Sequence, residues 1–139
     1  MDNNLLELKR KKLFVLDMDG TFYLGNKLIK GSLSFLDKLN RTGREFIFFT
    51  NNSSRNSSFY KEKLAGMGCY VDEDRIITSG DVTIRYLKGK YPKAGVYLVG
   101  TESLMDSFIK AGIRLVNDMP DIVVMSFDTT LTYEKILKA

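Results

Sequence analysis

Apolar residues in this chain fall into short unbroken runs, separated by longer stretches in which they recur every three or four positions. The runs Leu13–Leu16 and 45–49 lack the polar alternation of a half-solvated strand, so they predict strands covered on both faces and paired in parallel. Further strands are predicted at Val96–Val99 and Ile122–Met125, with a short apolar pair at Ile76-Ile77. Between them the spacing predicts helices. One spans residues 32–42, with Ser32 as N-cap, Leu33, Leu36 and Leu39 on one face, and Gly43 as the stop. A second covers 56–67, with Phe59 or Tyr60, Leu64 and Met67 inward and Gly66 and Gly68 bracketing its end. Others cover 81–88 and 102–111, the latter closed by Gly112, and a last one starts near Thr132 with an apolar face of Tyr133, Ile136 and Leu137. Residues 1–12 read as an amphipathic lead-in whose Leu5, Leu6 and Leu8 pack on the sheet edge. Strand and helix alternate without an internal repeat, which is the pattern of an α/β fold throughout.

Composition narrows the chemistry. At 139 residues the chain is one domain or one and a fraction, and 44% hydrophobic with 27% charged residues is a globular balance. No apolar run approaches the roughly 20 residues of a membrane span, and the start lacks the basic-then-apolar pattern of a signal peptide. The single cysteine, Cys69, excludes an internal disulfide and fits a reducing cytoplasm; it reads as a small buried or half-buried residue. The chain has no histidine. Ser/His/Asp and Cys/His hydrolase mechanisms are therefore excluded, as are His-rich zinc sites. Carboxylates are left as the main catalytic groups. The formal charge of +4 suits a phosphorylated substrate, and the run Lys9–Lys12 reads as a solvated lead-in rather than a nucleic-acid patch. Asp72-Glu73-Asp74 reads as a solvated turn rather than a metal cluster.

The first strand ends in two acids, Asp17 and Asp19, followed by Gly20. Ligands of open α/β sheets gather at the carboxyl ends of the strands. An ionised aspartate there can form an acyl phosphate, a second carboxylate can shuttle protons, and two acids so close invite a cation such as Mg²⁺, bound through oxygens. Gly20 lets the chain turn away. As four letters alone, Asp-x-Asp-Gly is equally a turn after a strand.

The longer stretch Asp17-Met18-Asp19-Gly20-Thr21 after an apolar strand resembles the first motif of the haloacid-dehalogenase superfamily. The continuation Phe22–Gly31 resembles that family's hairpin flap, with Gly25-Asn26 as its turn. Phe46–Ser53 resembles the second motif in the form used by NagD-like phosphatases, the p-nitrophenyl-phosphatase type (subfamily IIA). The resemblance implies a Rossmann-like parallel-sheet core, incomplete, over residues 1–77. From a hinge and helix cap at Thr78-Ser79-Gly80 it implies the first part of an α/β cap domain over residues 78–139. Asp17 is then the nucleophile and Asp19 the general acid and base, with Mg²⁺ as cofactor on Asp17 and Asp19. Phosphate falls to Thr50, Asn51, Asn52 and Gly20, Asn52 chiefly orienting its neighbours. A strand–helix–strand order with a right-handed crossover brings Asp17 and Thr50 to one edge of the sheet.

The family's third motif, a lysine, and its fourth, an acidic pair, are not assigned in this chain; Lys135 and Lys138 are no substitutes. The last helix has no C-cap signal before Ala139. The expectation is the nucleophile half of a cytoplasmic phosphatase for a small phosphomonoester, inactive alone and working with a C-terminal partner fragment or as a homodimer, without nucleic acid or membrane. The alternative is a non-catalytic binding or dimerisation domain. A receiver-like signalling domain is disfavoured by the Asp17–Thr21 pairing followed by a flap. Sugar phosphates, nucleoside monophosphates, phosphoglycolate and pyridoxal phosphate remain open as substrates.

Overall fold

The computed structural model describes residue 7 and residues 10–139; the packing expected of Leu5, Leu6 and Leu8 lies outside the described residues. The elements in order are β1 (Leu13–Leu16), β2 (Tyr23–Leu24), β3 (Lys27–Leu28), α1 (Ser32–Arg41), β4 (Glu45–Thr50), α2 (Ser57–Gly66), a 3-10 turn (Glu73–Arg75), β5 (Ile76–Thr78), α3 (Ser79–Lys90), β6 (Gly95–Val99), α4 (Glu102–Lys110), β7 (Arg114–Leu115), β8 (Ile122–Met125) and α5 (Tyr133–Leu137). The chain divides into two units. One holds the described residues to Phe49 with Lys61–Ile76, and the other Thr50–Tyr60 with Ile77–Ala139.

In the first unit β1 and β4 pair in parallel, Leu13 opposite Glu45 and Leu16 opposite Phe48, in a sheet of order β1-β4-β5. Alternation buries Phe46 and Phe48, and Phe48 meets the Phe22 ring edge-on at 4.7 Å. β1 departs from the expected cover on both faces. Leu13 and Val15 are 53% and 60% exposed: among the described residues β1 is the sheet's edge strand, and its Phe14 side is the one that meets α1, through Phe35. The hairpin β2/β3 is antiparallel, with Gly25 at φ +60°, as a glycine-first two-residue turn requires.

Helix α1 is capped differently from the expectation. Its N-cap is Gly31, and Ser32, already helical, donates its hydroxyl to the Phe22 carbonyl at 2.7 Å. One position inside the helix, Ser32 is no longer placed to cap it, and its hydroxyl proton goes to a nearby carbonyl instead. Leu36 and Leu39 are buried as expected, whereas Leu33 faces solvent. Its end follows the pattern: the Gly43 amide donates to Asn40 and that of Arg44 to Leu39, the paired bonds of a Schellman closure. The same closure ends α2 at Gly68-Cys69 and α4 at Gly112-Ile113.

The second unit has the parallel sheet β7-β6-β8. Every residue of β6 is buried, and Val96 and Leu98 join Leu87, Leu104 and Phe108 in one apolar cluster. Strand β7, only two residues long, was below the length that periodicity registers. Helix α3 opens with a capping box, Thr78 and Asp81 each taking the other's amide proton. The apolar side of α5, with Tyr133, Ile136 and Leu137, stands open to solvent.

Adjacent positions on α4 give a direct test of this packing. Phe108→Ala, at a fully buried site, should cost about 3–5 kcal/mol, whereas Ile109→Ala, 61% exposed, should stay within about 0.5 kcal/mol of the parent. Urea midpoints of the two variants check both, and equal losses would contradict the described core.

Candidate active site

The acid loop is built around a buried methionine. Met18 is fully buried, and its carbonyl accepts from the amides of Thr21, Phe22 and Tyr23 at 3.3, 2.8 and 3.1 Å. Extended backbone alternates sides, so burying Met18 turns its neighbours Asp17 and Asp19 outward, and both are exposed. Gly20 takes φ +81°, a left-handed turn that suits glycine, and its amide donates to the Tyr23 carbonyl at 2.7 Å. The Thr21 hydroxyl donates to Asp17 Oδ2 at 2.9 Å. That bond leaves Oδ1 as the carboxylate oxygen not engaged with Thr21.

Thr50 is the buried last residue of β4. Its Oγ1 accepts from the Asn52 amide at 3.2 Å, and Asn52 Oδ1 accepts from the Ser54 amide and hydroxyl at 3.0 and 2.7 Å. Asn52 thus bridges Thr50 and Ser54 by hydrogen bonds. Asn51 is exposed, with its carbonyl held by the Ser79 hydroxyl at 2.9 Å. Helix α2 is capped by a later residue, Asn56, whose Oδ1 accepts from the Phe59 amide at 3.0 Å. Arg55 is exposed and lies over the Phe59 ring at 5.0 Å. Cys69 is buried, and burial pushes its thiol up from 9.0, which makes it a poor nucleophile.

One constellation went unread in the sequence. Lys135 Nζ donates to Asp128 Oδ2 at 2.7 Å, the Gly100 carbonyl at 3.0 Å, and Thr130 Oγ1 and carbonyl at 3.1 and 3.2 Å. Asp128 Oδ1 in turn accepts from the Thr130 amide and hydroxyl, both at 2.7 Å. The Asp128 side chain is 1% exposed and that of Lys135 23%. Burial raises the Asp128 pKa, but the bonds from Lys135 and Thr130 outweigh it and hold the carboxyl below its ordinary 3.8. The signal was present as an acid and a lysine flanking the Thr132 cap, which accepts from the Lys135 amide. Only the folded loop shows that they meet. The Gly100 carbonyl, just after β6, is part of this arrangement.

Two outward carboxylates on one turn are hard oxygen donors of the type that holds Mg²⁺, which takes one or two carboxylates and leaves its other positions to water and phosphate. No group of three or more acids, cysteines or histidines forms among the described residues.

Residues 14–114 match the family described as haloacid dehalogenase-like hydrolase. The chain is 35% identical over 130 residues, 93% of its length, to an acid sugar phosphatase of Staphylococcus aureus, of which the match covers 50%. Among solved structures it is similar to a 4-nitrophenylphosphatase from Thermotoga maritima, with 43% identity and a TM-score of 0.90 over 94% of this chain and 50% of that one. It is similar also to a glycerol phosphate phosphatase from Mycobacterium tuberculosis in complex with magnesium, with 27% identity and a TM-score of 0.82 over 94% of this chain and 40% of that one. The chain thus spans about half the length of the curated relatives it matches.

The depressed Asp128 pKa fixes the sign of one pH effect. A carboxyl whose folded value lies below its unfolded one contributes stability that is present above about pH 4 and fades as pH falls through the folded value. Asp128→Asn should therefore flatten the acid limb of the stability profile while lowering stability at neutral pH. Urea midpoints across the range from about pH 2 to pH 7 read this, and parallel acid limbs for parent and variant would refute it.

Proposed function

We propose that this chain, which belongs to the haloacid dehalogenase-like hydrolase family, supplies the nucleophile and phosphate-holding half of a phosphatase site for small phosphomonoesters. The observation that carries the reading is the acid loop: two carboxylates turned outward by one buried methionine, with the Thr21 hydroxyl on Asp17 Oδ2. Kinship with named phosphatases supports it.

In this reading Asp17 Oδ1 attacks phosphorus and forms the aspartyl phosphate as the ester P–O bond breaks. Asp19 gives its proton to the leaving oxygen, then takes one from the water that hydrolyses the intermediate and frees Asp17. Thr21 fixes which Asp17 oxygen attacks. Gly20 lets the backbone turn clear of the phosphate. Thr50, through its hydroxyl, and Asn51, through its amide, hold phosphate oxygens, and Asn52 sets both. Support comes from the strand register: Leu16 lies opposite Phe48 in a parallel pair, so the segments after β1 and β4 leave the same edge of the sheet. Asp17, with Asp19 through an oxygen other than the one that carries its proton, would hold Mg²⁺, which supplies neutralisation of the charge gathered around the phosphoryl group.

Residues 1–77 are assigned to the catalytic core and 78–139 to the start of its cap, with Thr78 as the junction. The partner in this reading is a polypeptide segment that completes the core, either covalently continuous with this chain or associated with it; the open side of β1, with Leu13 and Val15, supports that. Among the described residues no helix is long and apolar enough to cross a membrane, and the buried free thiol of Cys69 suits a cytoplasmic location.

Two measurements check the reading. In a form of the protein that turns over p-nitrophenyl phosphate with Mg²⁺, Asp17→Asn should lower kcat by at least about a thousandfold, roughly 4 kcal/mol of barrier; a retained rate removes the nucleophile. The 139-residue chain alone should hydrolyse that substrate no faster than buffer, because phosphoryl transfer depends on charges placed all round the phosphate.

A further inference from the structure

We propose that Lys135 and Asp128 are positioning residues for the segment Thr50–Ser54, acting through two hydrogen-bonded arms that grip Ser53 and Ser54. The inference rests on the phosphate-holding role given above to Thr50 and Asn51, and deepens it.

The first arm starts at Lys135. Its ammonium holds the Gly100 carbonyl at 3.0 Å, and the next residue, Thr101, donates its hydroxyl to the Ser54 carbonyl at 2.9 Å in a buried bond. The second arm starts at Asp128. The preceding residue, Phe127, donates its amide to Ser53 Oγ at 3.1 Å. The ion pair at 2.7 Å joins the two arms at their base, so the loop after β6 and the loop after β8 are tied to each other and to the same dipeptide. Both serines are buried. From Ser54 the connection continues through Asn52 Oδ1 to the Asn52 amide and Thr50 Oγ1.

The ammonium is the apt group for the junction. It has three protons for four oxygens within 3.2 Å, so it works as a tethered cation at the centre of an oxygen cage rather than as a directional donor. Loss of the charge would leave a buried carboxylate uncompensated and release Gly100 and Asp128 together. The neighbouring pair Lys138–Glu134, both members well exposed, touches neither arm and serves as the control.

Amide hydrogen exchange on the ¹⁵N-labelled 139-residue chain tests this. Lys135→Met should speed exchange at the Phe127 and Ser54 amides by about tenfold more than at amides of α1, and Lys138→Met should leave the ratio unchanged. Acceleration that is uniform along the chain, or absent at Ser54, overturns the proposal. Should Lys135→Met fail to fold, Asp128→Asn is expected to open the same two amides, with the same overturning results. In Lys135→Ala, added propylammonium should restore slow exchange where choline, lacking N–H donors, does not; rescue by both or by neither counts against the cage. Inorganic phosphate separates this from the functional reading. A phosphate-dependent shift of the Asn51 amide, weakened about fivefold or more in Lys135→Met, supports both, whereas no shift in the parent chain counts against the phosphate role alone and leaves the exchange result to decide the positioning.

Discussion

The pairing of β1 with β4 is the constraint on which the candidate site depends. A parallel ladder runs both strands the same way, so whatever follows each of them leaves from one edge. The register is fixed by side chains as well as by backbone. A slip of one residue would exchange the buried Phe46 and Phe48 for Ile47 and Phe49. It would also break the stack in which Phe48 meets Phe22 at 4.7 Å and Phe46 at 5.5 Å. Phe22 belongs to the turn that carries the acids, and its carbonyl also takes the Ser32 hydroxyl. The turn is thereby fastened to the core of the sheet by one ring and to α1 by one hydrogen bond.

Much of this was legible along the chain because the informative signals are local. Apolar runs gave β4, β6 and β8 to within a residue, and glycines after amphipathic stretches gave the ends of α1, α2 and α4, where a left-handed residue closes each helix. The two acids Asp17 and Asp19 stand at the end of an apolar run in the sequence itself, and their outward turn about the buried Met18 is a property of adjacent positions. The misreadings share a cause: they turn on what lies across space. Leu13 and Val15 look like core until the sheet order makes β1 an edge. Ser32 looks like a cap until the helix starts one residue earlier, after Gly31, and Leu33 looks inward until the fold buries Leu36 and Leu39 and leaves it outside.

Thr50–Ser54 illustrates the same limit with a functional consequence. As letters it is a polar run, well suited to cap a helix. In the fold Asn56 does the capping, and the run is spent on bonds to distant partners, Ser53 with Phe127 and Ser54 with Thr101. Sequence separations of 74 and 47 residues lie far outside any window in which periodicity works.

The Lys135–Asp128 pair raises the question of why a charge is buried at all. Desolvating a carboxylate costs several kcal/mol, and a well-packed apolar substitute is often as stable or more so, which makes such a pair weak evidence of stabilisation. Here both oxygens of Asp128 are satisfied, Oδ1 by two donors of Thr130 and Oδ2 by Lys135, so the cost is offset rather than turned into a large gain. An apolar replacement could match that balance but could not hold the Gly100 carbonyl, because only a donor can. What the ions provide is a fixed distance between two loops, and the residues those loops grip are the ones that follow β4.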